Sequence, residues 1–175
     1  MGRSRGVWSL ALPLSPRAPL PSRPATPPCP FARSAATVAA AGAAAAKEPG
    51  GELPEEIPEL VLKGIEEFNK GEFYECHEYL EEAWLQEPGR IRFLYQGILQ
   101  VGVGFYHLGN GNWRGARGLL RNGTLRLKEF EPVTSGVDVA RLIRECEQCL
   151  KELEELGRER VGEFDQTTVP KVEFL

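Results

Sequence analysis

From Phe93 to Leu108 the chain runs sixteen residues without a charged side chain. A strand averages about six residues, so this run is too long for one. It is also shorter than the ~20 apolar residues that span a bilayer, and Gln96, Gln100 and His107 interrupt it. What remains is a helix, from about Arg90 to about Leu108, that is apolar almost all round. Such a helix has to be covered on most sides, so the other elements must surround it. Gly97 and Gly104 fall on one of its faces; each costs about 1 kcal/mol relative to Ala in a helix, and close approach by a neighbour is the expected return.

The periodicity around this central helix predicts four more. One runs from about Pro58 to Phe68, with Val61, Ile65 and Phe68 on one face and Asn69-Lys70-Gly71 as its stop. A second spans Glu72 to about Gln86 and ends before Pro88-Gly89. After Gly109-Asn110-Gly111 a fourth starts at the cap residue Asn112 and continues to about Phe130. The fifth follows Glu131-Pro132, with Ser135 and Asp138 at capping-box spacing, and runs to Gly157. No segment reads as a convincing strand. Short connections join neighbours antiparallel, so the expectation is an all-α fold: a compact bundle of about five antiparallel helices over residues 57–157. Residues 158–175 read as an extended tail, with Val169–Leu175 lying in a groove.

Charge divides the chain. Residues 1–46 hold five arginines and no acid, a charge of +5, which leaves 16 basic against 25 acidic residues, or −9, for the rest. The basic segment also holds eight of the 14 prolines. An Arg-, Ser- and Ala-rich, acid-free start has the composition of an organellar transit peptide. The proline density disfavours the amphipathic helix of a mitochondrial presequence, and Val38-Ala39-Ala40-Ala41 resembles a stromal processing site. Residues 1–40 are therefore read as a disordered plastid transit peptide, 41–56 as a linker, and the chloroplast stroma as the destination, with the mitochondrion or a disordered cytosolic tail as alternatives. The acidic remainder argues against nucleic acid as a partner. Four cysteines, one of them in the leader, are too few for a disulfide scaffold. Cys146 and Cys149 fall within the fifth helix on its apolar side and read as small core residues.

Only two histidines occur, His77 and His107. On the second helix His77 falls in the middle of the apolar arc beside Trp84, Glu81 lies just inside it, and Glu78 sits at its border. On the third, Gln96, Gln100 and His107 share a stripe within about 40° of one another. Polar groups buried this way cost about 1–3 kcal/mol each unless they find partners. The economical arrangement sets the two helices face to face, so that His77 and Glu81 meet Gln96, Gln100 or His107. The cluster then reads as a satisfied network fixing helix register, as a pocket for a ligand or partner, or as a metal site built from His77, Glu81 and His107. The metal reading is weak: Glu-x-x-His is absent, and His77-Glu78 lacks the second His of His-Glu-x-x-His. No cofactor is expected, and a divalent metal is the alternative. Arg114, Arg117, Arg121 and Lys128 form a basic band on the fourth helix, read as a solvated face or as ion pairs with the acidic second helix, with an anion or partner site as the alternative.

Three segments carry a resemblance: Phe68-Asn69-x-Gly71-Glu72-Phe73-Tyr74-Glu75-x-His77-Glu78-x-Leu80-Glu81-x-x-Trp84; Tyr95-Gln96-Gly97-Ile98-x-Gln100; and Tyr106-His107-x-x-x-Gly111-Asn112-x-x-Gly115-Ala116-x-x-Leu119-Leu120. Together they resemble the helical family called domain of unknown function 309, over about residues 57–130. The resemblance implies a small all-helical fold and signature positions His77, Glu78, Glu81, Trp84, Gln96 and His107. It implies no activity. Cys76 stands where the family pattern suggests Ala, and Gly102 and Gly104 where small aliphatic residues are usual. The leading functional expectation is a plastid helical module, not an enzyme, that binds a protein or small molecule through the candidate cluster His77, Glu78, Glu81, Trp84, Gln96, Gln100 and His107. A metal-assisted or acid–base enzyme using the same residues is the second reading. The third is a tetratricopeptide-like scaffold, suggested by the similar starts Gly71-Glu72 and Gly111-Asn112.

Overall fold

The computed structural model describes residues 56–175; the expected transit peptide and all but the last residue of the expected linker lie outside the described residues. Five helices follow in order: α1 Glu59–Lys70, α2 Phe73–Gln86, α3 Arg92–Gly109, α4 Trp113–Leu127 and α5 Val139–Leu156. The fold is all-α, as the periodicity predicts. Each helix packs mainly on its neighbours in the chain, and α3 on α4 is the most extensive of these contacts. Among the described residues no helix is long and apolar enough to cross a membrane.

Local chemistry sets the boundaries. Gly71, with φ of 86°, ends α1 in the left-handed conformation, its N–H and that of Glu72 bonding back to Phe68 and Glu67 carbonyls. Asn112 caps α4 by accepting from the Gly115 N–H at 3.0 Å. The expected Ser135 cap of the fifth helix is replaced. Ser135 and Gly136, both at positive φ, close a tight hairpin between strands β1 (Val133–Thr134) and β2 (Val137–Asp138). Asp138 then caps α5, accepting from the Arg141 N–H at 2.9 Å. The carboxylate read as the inner member of a capping box is itself the cap, and the chain contains a small sheet where none was expected. α4 also stops earlier than expected, at Leu127, with a 3-10 turn over Lys128–Phe130.

The C-terminal segment forms 3-10 turns at Val161–Glu163 and Gln166–Thr168 before it extends. Its last residues strap distant parts of the chain together. The Asn69 side chain donates to the Val172 carbonyl at 2.9 Å and accepts from the Val172 N–H at 2.8 Å. The Asp138 N–H donates to Glu173 O and the Leu175 N–H to Gly136 O. Arg141 forms an ion pair with Glu173, and Val172 is fully buried.

The core centres on α3, which is buried at every position from Leu94 to Phe105. Its two glycines do what the sequence suggests. A Cβ on Gly97 would lie 2.8 Å from Leu127, and one on Gly104 would lie 2.8 Å from Leu120, both on α4. Gly123 of α4 answers them: a Cβ there would meet the Gly97 carbonyl oxygen at 2.9 Å and the Val101 nitrogen at 3.0 Å. Those are backbone atoms, which cannot step aside. Gly123→Ala is therefore expected to cost about 2–3 kcal/mol, because the two helices must separate. Gly118→Ala, where nothing lies within 4 Å, is expected to gain about 0.5–1 kcal/mol from helix propensity. Urea denaturation of the two variants checks both signs.

Candidate functional site

The glycine contacts fix how α3 is turned. Its Gly97–Val101–Gly104 side faces α4. Its Gly102 and Phe105 side faces α1 and α2, with the Phe105 ring 6.5 Å from Phe68 and 5.7 Å from Phe73. Helical phase places Gln96, Gln100 and His107 in the sector left between these two. α2 flanks that sector on one side: the Tyr74 ring meets Tyr106 at 6.5 Å near one end, and Arg92 of α3 lies over Trp84 at 5.3 Å near the other. α4 flanks it on the other side, where Gly115 meets His107 and the Arg126 guanidinium lies 5.5 Å over Phe93. The result is a polar seam running along α3.

The candidate residues do not close into one network. His77 is 7% exposed, and its Nε2 lies 3.8 Å from Glu81 on the same helix. Burial pushes the His77 imidazole down to about 4, so it is neutral near pH 7. Glu81 is partly exposed, whereas Glu78 is exposed and its charge raises the pKa of the Tyr74 hydroxyl. His107 is engaged at the α3–α4 turn. Because the Asn112 carbonyl oxygen is taken by the Gly115 N–H, the Asn112 amide nitrogen donates to His107 Nδ1 at 3.2 Å. That bond leaves the His107 proton on Nε2, and burial lowers its pKa as well.

Gln96 and Gln100 are 2% and 6% exposed, yet the Oε1 atom of each is buried without a hydrogen-bond partner. The expectation that buried polar groups on α2 and α3 satisfy one another is therefore corrected at both glutamines. The partly buried indole Nε1 of Trp84 is also unpartnered. Among the described residues no three His, Cys, Asp or Glu side chains are grouped so as to hold a metal ion. Cys146 and Cys149 are free thiols in the core, both raised by burial, Cys149 to about 11.

Residues 61–119 match the family described as Domain of unknown function (DUF309). That span holds α1 to α3 and the first part of α4, hence every candidate residue on the seam. The chain is also 32% identical over 101 residues to the uncharacterized protein YpuF of Bacillus subtilis (strain 168), a match that covers 55% of this chain and 58% of YpuF. The chain thus spans under two thirds of that relative's length. Two of the departures from the expected family pattern touch each other: a Cβ on Gly102 would sit 3.4 Å from Cys76 Sγ. A thiol on α2 thus sits against a residue without a side chain on α3.

The basic band on α4 pairs differently from the expectation. Arg117 bonds Glu154 at 2.7 Å and Lys128 bonds Glu147 at 2.8 Å, both on α5 rather than α2, while Arg114 and Arg121 are exposed. Sequence reasoning also passed over Arg92 and Arg126. Each is polar at the border of an apolar arc, which in a sequence resembles any solvated arginine.

The histidines make the fold acid-sensitive. A depressed folded pKa means that the unfolded chain takes up the proton first, so stability is complete above about pH 6.5 and falls as pH drops towards 4. For His77 that loss is about 2 kcal/mol, allowing for partial solvent screening. His77→Leu is expected to flatten the dependence of unfolding free energy on pH between 6.5 and 4, leaving the smaller part due to His107.

Proposed function

We propose that this chain is a plastid-targeted, non-catalytic helical module that binds a small ligand or a partner segment along the α3 seam. The observation that supports the reading most is the pair of buried, partnerless carbonyl oxygens on Gln96 and Gln100. A purely structural network would have closed them, since an unsatisfied buried acceptor costs about 1–3 kcal/mol. In a binding site the ligand supplies the missing donors. Neutral His77 and partly exposed Glu81 add an imidazole and a carboxylate on the α2 side, and the Nε2–H of His107 adds a donor at the far end. The relative YpuF carries no assigned activity in its name, so the chemistry of the seam is the guide.

Gln96→Met and Gln100→Met keep side-chain length while removing the amide. Each variant is expected to unfold in urea with about 1 kcal/mol more stability than the parent, because an unsatisfied group is gone. A loss of stability in both would mean that the oxygens belong to a closed structural network, and the reading would be wrong. Targeting rests on the +5, acid-free leader. Residues 1–46 fused to a fluorescent protein are expected to direct it into plastids of leaf protoplasts; retention in the cytosol would overturn that part.

A further inference from the structure

Basic side chains in the described region fall into three groups. Several pair with carboxylates at the surface, as Arg90 does with Glu129 and Arg117 with Glu154. Others have no carboxylate among the described residues and are exposed, such as Arg114, Arg121, Arg144 and Arg158. Arg92 and Arg126 alone have no such partner and are half-buried. Both have a buried Nε with no acceptor, and both guanidiniums lie over an aromatic ring. The two rings bracket the first turns of α3, since Arg126 lies over Phe93 while Arg92, the residue before it, lies over Trp84. Gln96 is one turn further along α3, between Arg92 and Phe93 in helical phase.

A half-buried guanidinium without an acceptor loses hydration and gains little in return. Stacking explains how these two are held, but not what their N–H groups bond to. The charge of Glu129 acts on Arg126, but its carboxylate bonds Arg90 at 3.2 Å rather than Arg126. Glu81 lies by His77. The N-terminus of α3, the positive end of an 18-residue helix, adds to the same field.

We infer that Arg92 and Arg126 form an oxyanion subsite at the α3 N-terminal end of the seam, gripping a carboxylate or phosphate head of the ligand. This rests on the binding reading proposed above and names the class of ligand. Planar guanidinium forks match both oxyanions, and ring stacking presets their orientation. The Gln96 and Gln100 carbonyl oxygens, further along the seam, remain to accept from donors on the rest of the ligand.

The test follows thermal unfolding of the full chain against added inorganic phosphate or succinate, with chloride at matched ionic strength as reference. A saturable rise in Tm with either oxyanion is expected, phosphate identifying a phosphoryl head and succinate a carboxylate. The apparent Kd should weaken about tenfold or more in Arg92→Gln and in Arg126→Gln, and stay unchanged in Arg121→Gln, which removes an exposed arginine of the same helix as Arg126. If Arg92→Gln fails to fold, Arg126→Gln reads the same subsite. No rise beyond chloride, or an equal loss in Arg121→Gln, would overturn the inference. The seam reading is decided separately by Gln96→Met and Gln100→Met, so stabilised glutamine variants without an oxyanion response would sink the subsite alone.

Discussion

The backbone-to-backbone approach of α4 onto α3 governs the rest of the structure. Gly97, Gly104 and Gly123 leave no room for a Cβ at the contact, so Leu120 and Leu127 of α4 seat directly on α3. Dispersion attraction and apolar burial at such short range are large in sum, and they offset what three helical glycines cost in propensity. Once α4 is held there, Arg117 and, just past its end, Lys128 reach α5. On the opposite flank of α3, Gly102 lets Cys76 and Phe68 close in.

With both flanks taken by apolar contact, Gln96, Gln100 and His107 of α3 lie in what is left between. Two amide oxygens end there without donors, and the Nε atoms of two arginines end beside the first turn without acceptors. Core packing tolerates neither arrangement for its own benefit. Stability would favour apolar residues of similar volume at all four positions. Under the binding reading proposed above, these four positions are where packing yields to recognition, and they are carried by helices rather than by loops.

Much of the fold can be read from the chain, and the reasons are specific. Phe93–Leu108 has one physical solution, a covered helix, and Gly71, Asn112 and Gly157 punctuate their helices by chemistry that acts within a few residues. The hairpin at Val133–Asp138 escaped because two-residue strands carry no periodicity, and because Ser135 and Asp138 suit both a capping box and a tight turn. The site was legible in part. His77, Gln96 and Gln100 are conspicuous as polar residues on apolar faces, so their burial follows from helical phase alone. Arg92 and Arg126 are not conspicuous, since an arginine at the edge of an apolar arc becomes unusual only when its half-buried guanidinium bonds no carboxylate.

The amino-acid sequence by itself determined the five helices, the burial of α3, the glycine face and the polar stripe, because each depends on contacts within a few residues or on a period of 3.6. Only the tertiary structure decided which partners those groups meet. It turned His107 to Asn112, kept His77 beside Glu81, sent the basic band of α4 to α5 and tied Val172 to Asn69. Such pairings depend on how helices rotate and settle against one another, and that rotation is chosen by close packing across the whole core rather than by any one segment.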